Sequence, residues 1–570
     1  MTRVSRLLLC GLPFLLAGCA LHRTSAGPAT PDPRFHWFAY EGSDSVFARN
    51  PAGPDQFANP VLGGFYPDPS IERVGENYYL VNSSFAYFPG VPIFHSKDLV
   101  HWAQIGNVLD RPSQLNLDSA GISRGIYAPV IRYHAGTYFM ITTLVDKGGN
   151  FFVTATNPAG PWTDPVWLPS VDGIDPSFFF DDDGKAYVVN NGETIDPPQW
   201  NGHRAIWMQE FDVAAGKMVG PRKLIVNGGV DLSTKPIWIE GPHIFRKDGK
   251  YYLICAEGGT GDQHSEVVFR SDSPWGPYLP GPTNPSLTQR HLDPSRPFPV
   301  TSTGHADFVQ TGSGDWWSVF LGTRPYEGDM YNTGRETFMM PVRWEGGWPV
   351  VTAGKELVPY AVKRPALPLQ SANALPLSGN VRYRDEFNDA SLSSAWLFIR
   401  TPRERWYDIR NGSLMLHARS ADFSPNGQPS FLGRRLQNTQ ASASTEMTYA
   451  PSRDGEKAGL VAFQNDEYYY FLAVARVGGQ LVIQVEKRAG GQRRRAARAI
   501  VASAPLHLAT NAPVFLKITA RGAKYDFSYG TRAGEWTELL ADADGTILST
   551  KVAGGFVGSL FGLYAFTPAP

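Results

Sequence analysis

Five stretches of this chain are built to one plan, and that periodicity limits its fold more than any other feature. Asp68-Pro69-Ser70-Ile71 leads to Tyr78-Tyr79-Leu80-Val81, Ala128-Pro129-Val130-Ile131 to Tyr138-Phe139-Met140-Ile141, and Asp175-Pro176-Ser177-Phe178 to Tyr187-Val188-Val189. Gly241-Pro242-His243-Ile244 then leads to Tyr251-Tyr252-Leu253-Ile254, and Ala306-Asp307-Phe308-Val309 to Trp316-Trp317-Ser318-Val319. In four of the five the aromatic run starts ten residues after the first position, and in the third Asp181-Asp182-Asp183 lengthens the turn. Each unit reads as strand, glycine-containing turn and aromatic-rich strand. The starts lie 60, 47, 66 and 65 residues apart. That leaves room for two more strands per unit, the content of a four-stranded propeller blade. A β-helix coil is shorter, and unrelated hairpins would not keep one internal order. An all-β chain with a five-bladed β-propeller over residues 56–363 is expected.

The innermost strand of each blade runs along the central axis, so equivalent residues far apart in sequence meet around one channel. Asp68 and Asp175 occupy first positions, while Glu240 and His305 immediately precede Gly241 and Ala306. A pocket with three carboxylates follows. Taken singly, each Asp-Pro pair is a common turn that bonds its own backbone, and Glu240 is an ordinary half-exposed strand residue. At matching places of a repeat, the chemical reading outweighs the structural one. Cleaving a glycosidic bond needs a proton for the leaving oxygen and a carboxylate on the other face of the sugar. A third acid raises the pKa of the proton donor by like-charge repulsion.

After Lys363 the pattern changes. Pro365, Pro368 and Pro376 mark a linker over 364–380. Strand patterns then dominate residues 381–570: Gly459-Leu460-Val461-Ala462-Phe463 with Tyr468-Tyr469-Tyr470-Phe471-Leu472, then Leu481-Val482-Ile483, then Tyr525, Phe527 and Tyr529 in period-two alternation. A β-sandwich is expected there. Arg493-Arg494-Arg495 with Arg498, just after Gly490-Gly491, reads as a solvated loop.

Charge and cysteines narrow the function classes. With 52 Lys and Arg against 53 Asp and Glu, no single-sign field draws the chain to nucleic acid. Of three cysteines, Cys10 and Cys19 lie near the N-terminus, which leaves Cys255 without an internal disulfide partner. Arg3 and Arg6 precede a short apolar run that ends in Leu16-Ala17-Gly18-Cys19. That run suits a secretory signal over 1–18 and is too short to span a bilayer. The segment resembles a bacterial lipobox, which implies lipid attachment at Cys19 and an exported protein touching a membrane only through that anchor. Ala20 favours the outer membrane of a Gram-negative cell, by the same resemblance. Residues 19–55 read as tether and lead-in.

The residues around the acids carry a family resemblance. Asn59-Pro60-Val61-Leu62-Gly63-Gly64-Phe65-Tyr66-Pro67-Asp68-Pro69-Ser70 and Phe88-Pro89-Gly90-Val91-Pro92-Ile93-Phe94-His95-Ser96-Lys97-Asp98-Leu99-Val100-His101-Trp102 closely resemble glycoside hydrolase family 43, the inverting β-xylosidases and α-L-arabinofuranosidases. The resemblance continues through Gly173-Ile174-Asp175-Pro176-Ser177, Glu240-Gly241-Pro242-His243, Gly304-His305-Ala306-Asp307 and Gly334-Arg335-Glu336-Thr337, and into a jelly-roll, concanavalin-like sandwich. It implies Asp68 as general base, Glu240 as general acid and Asp175 as the carboxylate that orients Glu240 and raises its pKa. It implies Arg335 reaching toward the substrate, Phe85 and Tyr127 as walls of the sugar site, and lesser roles for Gln263 and His264. His305 matches a histidine that in some members holds a central calcium or its waters. No cofactor is required, and a structural Ca2+ is allowed. Phe556 or Phe561 would reach the pocket from the sandwich. Tyr127 and Tyr87 stand where many β-xylosidases carry tryptophan, and the resemblance implies that both rings shape the sugar site, which leaves the choice between xylopyranose and arabinofuranose open, together with oligomeric state.

The expected function is an inverting exo-glycosidase releasing terminal α-L-arabinofuranosyl or β-D-xylosyl units from hemicellulose oligosaccharides. Two alternatives stand beside it. One is an inactive glycan-binding lipoprotein, against which the intact acids count. The other is a retaining, invertase-like propeller hydrolase, whose Asn-Asp-Pro-Asn motif is replaced here by Tyr66-Pro67-Asp68-Pro69-Ser70.

Overall fold

The computed structural model describes residues 32–371, 375–424, 427–490, 498–509 and 512–569. The signal segment, Cys19 and Arg493 to Arg495 lie outside the described residues. Strands dominate, and helix is confined to short pieces such as Ser45–Arg49 and Thr550–Ala553.

All five repeats form the inner hairpins of blades. The first blade orders Ser70–Val74, Asn77–Val81, Gly90–Ser96 and Ala103–Leu109; the second, Val130–His134, Thr137–Leu144, Gly149–Ala155 and Val166–Trp167. The third runs Ile174–Phe180, Ala186–Gly192, Ala205–Asp212 and Lys217–Asn227. The fourth runs Glu240–Lys247, Lys250–Glu257, Ser265–Ser271 and Leu279–Pro280, and the fifth Thr301–Gln310, Trp316–Thr323, Glu336–Glu345 and Trp348–Val350. Gln56–Ala58 pairs with Ala361–Lys363, which clasps the two ends of the propeller. The ring closes through side chains as well, since Asp307 of the last blade accepts from Ser70 Oγ at 2.8 Å and Ile71 N at 3.0 Å. Further along the inner strands, Arg132 pairs with Asp307 at 2.9 Å and bonds His243 Nδ1 at 2.9 Å. These groups line a second, smaller cavity on the inner strands.

The sandwich consists of two eight-stranded sheets. In one sheet, Lys457–Asn465 lies between Tyr468–Val477 and Leu560–Phe566. Successive side chains on a strand point to opposite faces. Leu460, Ala462, Tyr470 and Leu472 therefore enter the core between the sheets, whereas Val461, Phe463, Tyr469 and Phe471 pack with Phe65, Phe85 and Tyr87 of the propeller. Burial on both faces explains why these strands read as unbroken apolar runs.

One boundary expectation is corrected. Residues 19–55 read as tether and lead-in from the sequence, but Arg34–Gly42 is an interior strand of the second sheet, paired with Gln440–Thr448 and with Arg382–Asp385. Phe35, Phe38 and Tyr40 on it are almost wholly buried. The sandwich is thus closed by the chain that precedes the propeller. The propeller returns a strand, because Tyr87–Phe88 pairs with Leu397–Ile399 at the edge of the first sheet.

Candidate active site

At the mouth of the inner strands the backbone turns left-handed, with φ of 52° at Asp68, 53° at Asp175, 56° at Gly241 and 51° at His305. In the third, fourth and fifth blades the strand pairing slips at the same place, between Ile174 and Ser177, Glu240 and His243, and Gly304 and Asp307. A bulge of this kind re-aims side chains at the end of a strand. The side chains it re-aims here are Asp175, Glu240 and His305. Gly241 is required twice over: it takes positive φ, and a Cβ there would lie 2.8 Å from His305 Nε2.

Asp68, Asp175, Glu240, His305, Arg335, Phe85 and Tyr127 all line one cavity of about 660 Å3. Donor atoms of Asp175, Glu240 and His305 come within 4.8 Å of one another. The three acids share the cavity but not an ionisation state. Burial pushes Asp68 up, yet Arg335, His305 and the Ser83 hydroxyl outweigh it and hold its carboxyl below the usual range. Ser83 Oγ donates to Asp68 Oδ2 at 2.6 Å. Glu240 is driven well above an ordinary glutamate by burial first, then by repulsion from Asp175 and Asp68. Asp175 is raised to about 6, again by burial first, with His305 opposing and Asp68 adding. Its Oδ2 accepts from Gly241 N at 3.1 Å. The surroundings thus favour the ionised form of Asp68 and the protonated form of Glu240, the pair that acid–base catalysis needs.

Arg335 is buried and donates from Nη1 to Asp68 Oδ1 at 3.1 Å and to Thr260 Oγ1 at 3.0 Å. Its guanidinium carbon lies 5.8 Å from the Phe85 ring centroid and 5.3 Å from that of Phe556. Phe85, Tyr127 and Phe556 have centroids 5.8 to 6.2 Å apart and form an aromatic wall. Phe556 comes from the sandwich, and local contacts fix it there. Its N–H donates to Ser123 Oγ at 2.8 Å, and Ser559 N donates to Asn332 O at 2.7 Å. Gly334 and Gly558 approach so closely that a Cβ on Gly334 would lie 2.6 Å from Gly558 N. Of the two phenylalanines left open by the sequence, Phe556 lines the cavity and Phe561 is buried in the sandwich core.

Three expectations are not met by the placement of the side chains. Gln263 is exposed and does not line the cavity; its carbonyl accepts from Arg290. His264 is buried behind the cavity wall, bonds Ser302 O at 3.0 Å, and is lowered to about 3 mainly by burial. It backs Gly304, where a Cβ would meet its ring at 2.8 Å. Tyr87, in the strand shared with the sandwich, packs on Phe65 with centroids 5.4 Å apart and stays away from the sugar site. Conversely, the sequence reading overlooked Trp238, Ile237 and Thr260 in the cavity lining. Trp238 and Ile237 are 41% and 38% exposed just before Glu240, an apolar cost that burial does not explain. The signal for them was their place next to the acid.

Asp175, Glu240 and His305 are the donor set a metal would meet. Calcium takes six to eight oxygens, so two carboxylates and an imidazole would leave most of its shell to water.

Known proteins resemble this chain over both the propeller and the sandwich. Residues 57–349 match the profile of glycosyl hydrolases family 43, and residues 384–570 match the β-xylosidase C-terminal concanavalin A-like domain. A xylosidase/arabinosidase of Butyrivibrio fibrisolvens is 41% identical over 517 residues, covering 89% of this chain and 95% of the relative. A non-reducing-end α-L-arabinofuranosidase of Bacteroides ovatus is 39% identical over 517 residues, covering 89% and 91%. A crystal structure of a GH43_12 protein from a capybara gut metagenome superimposes with a TM-score of 0.87 at 43% identity, covering 94% of this chain and all of the other.

Proposed function

Because this chain belongs to glycosyl hydrolase family 43, we propose that it is an exo-acting hydrolase that releases terminal α-L-arabinofuranosyl and β-D-xylosyl units from hemicellulose oligosaccharides by single-step inversion. The observation that carries this reading is that Asp68 and Glu240 line one cavity in surroundings that push them opposite ways, Asp68 beside Arg335 and Glu240 beside other carboxylates. In the proposed step, Asp68 takes a proton from water as the water oxygen bonds the anomeric carbon. The glycosidic C–O bond breaks on the opposite side, and its oxygen receives the Glu240 proton. Solvent then returns a proton to Glu240 and removes one from Asp68. Asp175 keeps Glu240 protonated by repulsion and fixes the bulge through Gly241. A single cavity, closed on one side by Phe85, Tyr127 and Phe556, fits a terminal sugar rather than a chain running through.

The leaving sugar would emerge past Trp238 and Ile237, beside the acid. The relatives named as arabinofuranosidase and xylosidase/arabinosidase support both sugars as substrates. We also read the chain as exported and lipid-anchored at Cys19, on the lipobox resemblance alone. Proton NMR of the first-formed sugar from an aryl α-L-arabinofuranoside tests the reading. Inversion requires the β-anomer first; initial α-anomer would overturn it.

A further inference from the structure

Six arginines are buried among the described residues, and four of them face a carboxylate. Arg324 meets Glu336 at 2.6 Å, Arg335 meets Asp68 at 3.1 Å, Arg400 meets Asp466 at 3.0 Å and Arg488 meets Glu467 at 2.7 Å. Arg434 and Arg435 have no carboxylate oxygen within 4.0 Å among the described residues. Both line the same cavity of about 320 Å3, at the seam between propeller and sandwich.

Aromatic rings cover the faces of these two guanidiniums. Arg434 lies 4.0 Å from the Tyr383 centroid, and Arg435 lies 4.2 Å from that of Tyr66 and 4.6 Å from that of Phe65. Stacking engages the face and leaves the in-plane N–H fork for an acceptor. Arg435 Nε donates to Phe65 O at 2.8 Å, but its Nη2 has no partner, and neither does Nε2 of Gln437, which lines the same cavity. Water could satisfy a donor but not two buried positive charges, for which an anion is the natural complement.

We infer that this seam cavity is a binding site for a small oxyanion, a carboxylate or phosphate held by the forks of Arg434 and Arg435 and the amide of Gln437. The walls come from the propeller through Tyr66 and Gln104 and from the sandwich through Tyr383 and the two arginines. An anion seated there ties the two domains together at a place distinct from the sugar cavity.

The test uses the full chain, titrated calorimetrically with inorganic phosphate and separately with D-glucuronate, and unfolded thermally in each against sodium chloride of equal ionic strength. One anion per chain and a saturable rise in Tm are expected. Arg434→Met should abolish both while aryl-arabinofuranoside turnover stays intact. Arg434→Lys, which keeps the charge and loses the fork, should bind about tenfold more weakly. A response to phosphate alone assigns the site to inorganic anions, and a response to glucuronate alone to a sugar acid. If neither anion binds the wild type, or if Arg434→Met retains the same heat and Tm rise, the site does not exist.

Discussion

Arg335 bonds Asp68 at 3.1 Å while its guanidinium lies beside both Phe85 of the propeller and Phe556 of the sandwich. One side chain thereby joins the proposed base, the aromatic wall and the second domain. Arg335 is the largest of the influences that lower Asp68. Arg335→Met should let the burial effect prevail, so the acidic limb of the kcat/KM profile moves up by about one pH unit or more. The measurement is kcat/KM from pH 3 to 8 in both proteins; a variant with lower activity but an unmoved acidic limb would refute the assignment of Asp68 as base.

Removing Phe556 should damage the sugar site without unfolding the protein. The ring is only partly buried and packs on Phe85 and Tyr127. Phe556→Ala is expected to lower kcat/KM about 10- to 100-fold, which corresponds to about 1–3 kcal/mol of lost sugar contact. Tm should change by no more than a few degrees. Unchanged kinetics would show that the sandwich lends nothing to catalysis.

The stability of the wild type should fall as pH rises through the Asp175 window. The folded state holds this proton up to about pH 6, against an ordinary value of 3.8. Between those values the folded chain binds more protons than the unfolded chain, so raising the pH favours unfolding. Asp175→Asn, which keeps an oxygen for Gly241 N, removes that penalty. It should be more stable than wild type at pH 7 by on the order of 3 kcal/mol, with most of the difference gone near pH 4. Chemical denaturation at the two pH values decides, and activity should fall sharply in the same variant.

Much of this organisation was legible in the sequence because it is local. Each blade hairpin has its turn, its aromatic run and its axial position within about a dozen residues. Once the repeat is aligned, Asp68, Asp175, Glu240 and His305 fall together by symmetry. What escaped depends on long-range pairing. In Arg34–Gly42 the apolar alternation is broken by a register shift between Phe35 and Trp37, so its period-two mark is blurred. Its partners lie some 400 residues away. Trp238 resembles any exposed aromatic until the fold sets it at the rim of the acid cavity. Gln263 and His264 fail for the opposite reason: motif position places them near the axis, while the wall carries one outward and the other behind it.

The interior position of Arg34–Gly42 predicts that the N-terminal segment is needed for folding. Deleting residues 1–43 takes Phe35, Phe38 and Tyr40 from the sandwich core. Each contributes roughly 1.5–3 kcal/mol of burial, a large share of the ~5–15 kcal/mol that keeps a domain folded. The deletion should yield insoluble or molten protein. Deleting residues 1–31 should not, and a cooperative melt from both would show that the strand is dispensable.

Trp238, at the rim beside the acid, should matter to leaving groups that can lie on it. Trp238→Ala is expected to raise KM for a xylo- or arabinoxylo-oligosaccharide about 3- to 10-fold, the loss of a single stacked ring. A methyl glycoside, which presents no ring there, should be hydrolysed as by wild type. Equal loss on both substrates would place Trp238 outside the leaving-group path.

The central claim is that Glu240 supplies the proton to the departing oxygen, and substrates of graded leaving ability test it most directly. For Glu240→Gln the account predicts a loss of about 10²–10⁴-fold in kcat on natural oligosaccharides. It predicts a much smaller loss on a 2,4-dinitrophenyl glycoside, whose phenolate departs without a proton. Equal losses on both substrates, or turnover unchanged on the oligosaccharide, would contradict it.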